Sequence, residues 1–433
     1  MLRNQNSPSE NGSDTDAHGE DPYISQMKMY AEYLVLQVTE TGFIKASQNF
    51  DWYSMHWFRD SSFVSMALLR ASKTLGRHDP ELAERMIDAA HRINLFNMHT
   101  VEGRIGSIKN AISIRLEDHD EFFNMRNHIP ARIGSDMRIH RYDSGEETGR
   151  HSWLLQHDSI PLLVNALYEE LKVAAYPYTL TFLERNGGTL LGYMTKIVKT
   201  ECADAWEERS TMLHAYDVAA VYSGIKKMIE IKGDAWCSAW CGTAQLDKNM
   251  LNGGAIDFLK QVFVRDNVIY SQARPFAEMP DTQFGVDASE LYIFSQFGLD
   301  GKALGNPAIE ECTLKRIESD LFAGNILPVR YKKDWYRGGG RWLLLGLRYA
   351  DYIISNGRVD EGRRIIDYVA DKFKGSLPEQ DMINVETPAN AVPSIEWLAW
   401  SYGEMLNAIS SLKEREALRT HDIKLRMPLK TVS

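Results

Sequence analysis

Apolar residues recur at three- and four-residue spacing through most of this chain, and the strict alternation that marks half-buried strands is nearly absent. The pattern predicts an all-α protein. Marking the runs between capping and breaking residues predicts helices over 22–41, 61–76, 80–98, 159–175, 178–199, 211–232, 235–263, 287–297, 307–322, 341–357, 359–373 and 394–413.

Two kinds of helix alternate in this series. Helix 80–98 carries Leu82, Met86, Ala90 and Ile93 on one stripe, with Glu81, Glu84, Arg85 and Asp88 opposite, as one wet face requires. Helix 359–373 does likewise. By contrast 341–357 and 394–413 are apolar almost all round, the second through Ile395, Trp397, Leu398, Trp400, Met405 and Leu406, which suits helices covered on every side. Such alternation predicts an (α/α)6 barrel, six parallel inner helices wrapped by six outer ones. A helical solenoid would show a fixed-period repeat, and none is visible. The polar stretches 42–60, 99–157, 200–210, 264–286, 323–340 and 374–393 each precede an inner helix, so they are expected to gather at one end of the barrel. Residues 1–21 read as a disordered leader, 22–413 as the barrel, and the basic stretch 414–433 as a tail that extends the last helix and frays.

Composition narrows the function. The 433 residues carry a formal net charge of −10, which argues against a nucleic-acid surface or an anionic membrane as partner. No stretch is apolar and long enough to span a bilayer, and the first residues lack a basic segment followed by an apolar one, so a cytoplasmic location is expected. The 10 Trp and 19 Tyr are a heavy load of rings that stack on sugar faces while their polar edges hydrogen-bond. Cys202, Cys237, Cys241 and Cys312 are too scattered for a disulfide framework. Cys237 and Cys241 stand four apart but have no nearby His or second Cys pair, so buried thiols are expected and no metal site.

Chemistry concentrates in the loops. Asp204-Ala205-Trp206-Glu207-Glu208 precedes one inner helix, and Ser376-Leu377-Pro378-Glu379-Gln380 precedes another. Acidic residues there could simply stabilise the positive ends of helices. Carboxylates crowded beside an indole, however, resist ionisation, as a general acid working near neutrality requires. Asp60 and Asp158 both suit helix capping, and Pro161 suits a first turn. The run Gly338-Gly339-Gly340 lacks the Lys-Ser/Thr and preceding strand of a phosphate loop, and better suits a tight turn beside a ligand.

Five motifs in order resemble glycoside hydrolase family 15, the glucoamylase family. They are Trp57-Phe58-Arg59-Asp60 with Tyr53 upstream, then Gln156 and Asp158 with Pro161, then Asp204 to Glu208, then Arg330 to Trp342, and finally Ser376 to Gln380 with Trp400-Ser401-Tyr402. The resemblance covers most of the chain, from Tyr53 to Tyr402. It implies an (α/α)6 barrel and an inverting exo-acting α-glucosidase, with Glu207 as general acid and Glu379 as general base. It implies further that Arg59 and Asp60 hold the terminal glucose, that Glu208 and Arg330 bind other hydroxyls, and that Gln380 helps place the water. Tyr53, Trp57, Trp206, Tyr336 and Trp400 would wall the first subsite, and Trp153, Gln156 and Trp342 stand in the same binding motifs. No cofactor is implied. Ala205, Ser210-Thr211-Met212 and Lys332-Lys333 depart from the family pattern and bear on the linkage cleaved. The expected substrate is a small oligosaccharide of maltooligosaccharide or isomaltose type, with trehalose as the alternative. A non-catalytic sugar-binding or regulatory domain is the rival reading, and no sequence feature indicates an oligomeric state.

Overall fold

The computed structural model describes residues 20–124, 127–137, 155–233, 253–274, 285–382 and 394–426. Six buried helices, Phe58–Leu75, Ser159–Val173, Ala215–Lys232, Leu291–Ser295, Leu343–Ser355 and Ala399–Arg426, each pack on the next in chain order. The last returns to the first, closing a ring. Around it run Pro22–Gln37, Pro80–Gly103, Pro177–Ile197, Ala255–Phe263, Pro307–Ile317 and Val359–Phe373, which completes an (α/α)6 barrel. The patterning explains the layers. Every residue from Leu343 to Asp351 is buried, whereas in Pro80–Gly103 the buried set follows the stripe of Leu82, Met86, Ala90 and Ile93.

Inner and outer helices begin differently. Three of the six outer helices start with a proline behind a polar cap: Asp21 accepts from the Tyr23 amide at 2.9 Å, Asp79 from Leu82 at 3.1 Å and Asn306 from Ala308 at 3.1 Å. Asp287 caps the 3₁₀ turn that leads into the fourth inner helix, but four other inner helices leave their first amides to a neighbouring loop. Phe58 donates to the Ala131 carbonyl at 3.0 Å, Ala215 to Ser271 at 2.9 Å, Leu343 to Glu379 at 3.2 Å and Ala399 to Ala46 at 2.9 Å. Helix-start donors need partners, and here the partners belong to another part of the chain.

That exchange laces the loops into a belt around one mouth of the barrel. Two-residue ribbons pair His56–Trp57 with Arg132–Ile133, Leu213–His214 with Gln272–Ala273, and Arg341–Trp342 with Gln380–Asp381. Single bridges join Ser47 to Leu398 and Asp287 to Tyr331. The candidate chemistry therefore hangs on hydrogen-bonded backbone.

Several expectations change. The stretch 99–157, read as loop, holds a helix over Ile105–Ser113 whose Ile108 and Ala111 are buried. The fourth inner helix is only Leu291–Ser295, preceded by a 3₁₀ turn over Ala288–Glu290. The last helix runs on to Arg426, into the segment read as a tail. Asp60 lies inside a helix whose N-cap is Trp57. Asp158 occupies an N-cap position but makes no capping bond; it accepts instead from Arg59 and from the Tyr216 hydroxyl. Of the expected helix 235–263, Ala255–Phe263 is observed, and Cys237 and Cys241 lie outside the described residues. Cys202 and Cys312 are free thiols, the first buried. Among the described residues no helix is long and apolar enough to cross a membrane.

Candidate active site

The laced mouth opens into a cavity of about 230 Å³. Glu207 and Glu379 both line it, one on the loop before the third inner helix and one on the loop before the sixth. Arg59, Asp60 and Arg330 reach it as well, and Tyr53, Trp57, Trp206, Tyr336, Trp342 and Trp400 supply aromatic walls.

Glu207 sits on a strained turn. Its φ is +66° and that of Arg209 is +52°, a region that costs side-chain-bearing residues on the order of 1–3 kcal/mol each. Asp204 holds the turn: one carboxylate oxygen accepts the amides of Trp206 at 2.9 Å and Glu208 at 2.8 Å, and its own amide reaches the Glu208 carbonyl at 2.9 Å. The Glu207 carboxyl receives a hydrogen bond from Gln156 Nε2 at 3.1 Å. Gln156 in turn accepts from Arg59 Nη2 at 2.7 Å, while Arg59 also binds Asp158 and the Ala205 carbonyl. Burial drives the Glu207 carboxyl up to about 8, against the opposing pull of Arg59 and Gln156.

Glu379 is anchored through its backbone at a bend just ahead of the Gln380–Asp381 ribbon. Its amide donates to the Ile395 carbonyl at 2.7 Å, and its carbonyl takes the first amide of the fifth inner helix. The Tyr53 hydroxyl donates to Oε1 at 3.1 Å and lies 2.8 Å from the Tyr336 hydroxyl. Oε2 has no hydrogen-bond partner among the described residues. Burial raises this carboxyl to about 7, and Arg330, Tyr53 and Arg337 hold it back. Asp60 is likewise raised to about 7 by burial, with Arg59 opposing.

The tryptophan walls are fixed from behind. Trp206 Nε1 donates to both oxygens of Asp287 at 3.0 Å, Trp342 Nε1 to Asp334 at 3.1 Å and Trp400 Nε1 to Glu404 at 3.0 Å. With each polar edge bound to a buried carboxylate, the ring faces remain for the cavity. Asp334 also pairs with Arg330 through Nε at 2.9 Å and Nη2 at 2.7 Å.

The remaining sequence-predicted residues are placed differently. Glu208 does not line the cavity; it pairs with Arg330 at 3.1 Å and accepts from the Tyr331 hydroxyl at 2.7 Å. Gln156 lies behind Glu207. Gln380 packs behind Gly340 and donates to the Tyr336 carbonyl at 3.5 Å, outside the cavity lining. Trp153 falls outside the described residues. Sequence reasoning missed Phe50, Trp52 and Arg337, which all line the cavity. The aromatic doublet Trp52-Tyr53 and the arginine beside Tyr336 were the available signals. Asp334 and Glu404 stand four residues from Arg330 and Trp400, a spacing that was legible, whereas Asp287 left no signal, because the fold alone brings it near Trp206. Ala205 lines the cavity, whereas Lys332 and Lys333 are exposed away from it.

No protein-family model and no curated protein matches the sequence. Solved structures do match the fold. A glycosidase variant in complex with glucose superposes with a TM-score of 0.71 at 17% identity, covering 92% of this chain and 99% of that one. The glucoamylase of Saccharomycopsis fibuligera gives 0.62 at 16% identity, covering 91% and 96%. A bacterial glucoamylase complexed with acarbose gives 0.58 at 16%, covering 89% of this chain and 55% of that one. In fold, the chain is a glucoamylase-like (α/α)6 barrel.

Proposed function

We propose that this protein is an inverting exo-acting α-glucosidase that removes the non-reducing terminal glucose of a small α-glucoside. The observation that carries the reading is the pair Glu207 and Glu379, two carboxyls on different loops lining one aromatic cavity, each raised by burial and each given one neutral donor. Glu207, the more strongly raised, protonates the glycosidic oxygen as the bond to the anomeric carbon breaks. Glu379 takes a proton from the water that attacks the opposite face, and its unpartnered Oε2 is the acceptor for it. Arg59 and Asp60 lie beside Glu207 as donor and acceptor for sugar hydroxyls, and Arg330 lies toward Glu379.

Neighbours of the same fold support a sugar ligand, since one holds glucose and another acarbose. A cavity of about 230 Å³ is small for a ligand site and favours a short substrate over a polymer bound along its length. Hydrolysis of maltose, isomaltose and trehalose, followed by NMR of the fresh product, tests the proposal and separates the linkages. β-Glucose is expected. Because the leaving glucose of trehalose emerges as the α-anomer and that of maltose or isomaltose as its existing mixture, the stereochemistry is read on α-glucosyl fluoride: initial release of α-glucose from it overturns inversion, and no turnover of any α-glucoside overturns the activity.

A further inference from the structure

Large apolar rings are seldom left in water, yet Trp52 is 52% exposed and Phe50 39% exposed. Both line the mouth of the same cavity. Neither ring hangs loosely. Trp52 stands on a 3₁₀ turn over Asp51–Tyr53, with the buried Arg132 guanidinium 4.2 Å from its ring centre and 3.4 Å from its carbonyl oxygen. The same guanidinium lies 5.1 Å from Trp57, inside the cavity wall. Phe50 meets Tyr53 edge-on at 5.7 Å, and Arg337 lies 5.0 Å from its ring centre. Cations packed against these rings hold them in place at the edge of the site.

The small cavity adds the other half. Its volume falls below the range of about 300–1,000 Å³ usual for ligand sites, so a two-ring substrate extends past it onto the rim. We propose that Trp52 and Phe50 form the platform on which the departing sugar residue stacks, its apolar C–H face against the indole. This inference rests on the exo-glucosidase reading, and it makes the rim responsible for binding the leaving residue while the cavity binds the residue that is released.

Replacing either ring with alanine tests the platform, because both side chains are exposed and neither supports the core. The substrates are the best disaccharide and α-glucosyl fluoride, whose leaving group has no ring to stack. Trp52→Ala is expected to lower kcat/KM on the disaccharide about tenfold, chiefly through KM, with a smaller loss in Phe50→Ala. Turnover of the fluoride stays within about twofold of the parent, and Trp52→Phe recovers part of the disaccharide rate. Equal losses on both substrates, or an unchanged disaccharide rate in Trp52→Ala, overturn the platform alone. A parent protein that turns over neither substrate overturns the exo-glucosidase reading itself.

Discussion

The Glu207 loop and the Glu379 loop bring the same side chain to the same cavity by different means. Glu207 is presented by a turn with two residues of positive φ, clamped by the adjacent Asp204. Glu379 comes from a bend at the start of a ribbon, held by the backbone hydrogen bonds on either side of it. Their electrostatic settings differ as well. Glu207 also feels two cations, Arg59 first and then Arg132, but the Arg59 guanidinium is already engaged by Asp158, Gln156 and the Ala205 carbonyl. Glu379 faces two cations, Arg330 and Arg337, and a phenol. Burial raises both carboxyls, Glu379 to about 7 and Glu207 to about 8. The proposed division of labour between these two identical groups would thus come from their neighbours.

The largest test of this division is removal of either carboxylate. Glu207→Gln and Glu379→Gln should each lower kcat on an α-glucoside by about a thousandfold. α-Glucosyl fluoride then separates them, because fluoride leaves without protonation. Rates on the fluoride should recover substantially in Glu207→Gln and stay low in Glu379→Gln, where water still lacks a base. The reverse pattern would exchange the two assignments.

A smaller effect comes from the neutral donors. Tyr53→Phe removes the hydrogen bond that lowers Glu379, and Gln156→Leu removes the one that lowers Glu207. Each should cost about tenfold in kcat, but their pH profiles should move differently. In the parent, kcat/KM requires Glu379 ionised and Glu207 protonated, so it rises through about pH 7 and falls through about pH 8. Tyr53→Phe raises Glu379 and moves the acidic limb upward, while Gln156→Leu raises Glu207 and moves the alkaline limb upward. Parallel shifts of both limbs in either variant would refute separate control of the two groups.

What the sequence made legible follows the same physical line. Helix 359–373 was read to its end residues because a strong amphipathic stripe is a local signal. The ribbons at the mouth were not, since a strand of two residues such as His56–Trp57 is too short to show alternation. Capping was misread at Asp60 because that helix takes a remote carbonyl, Ala131, at Phe58, and at Asp158 because Arg59 and Tyr216 claim its carboxylate. Within the site, Glu207, Glu379, Arg59 and Arg330 stood out through motifs, but the Arg59–Asp158 pair spans 99 positions and Trp206–Asp287 spans 81. Spacing along a chain carries no record of such contacts until the barrel closes.

The smallest expected effect lies in stability. A carboxyl whose folded pKa is raised binds its proton more tightly in the folded state than in the unfolded chain. Between the ordinary carboxylate value and the raised one, the folded state therefore carries more protons, and stability falls as pH rises. For Glu379 this fall ends near pH 7 and for Glu207 near pH 8, so the parent bears the full cost of both ionised groups above pH 8. Glutamine has the shape and no charge to desolvate. Glu207→Gln and Glu379→Gln should accordingly raise Tm on the order of 1–2 °C at pH 8.5, with a smaller gain at pH 5, where the parent's carboxyls are already protonated. Thermal melts at the two pH values measure this directly. The gain in Glu379→Gln should stop growing near pH 7 and that in Glu207→Gln near pH 8, and equal gains at pH 5 and pH 8.5 would show that the two loops do not strain their carboxylates.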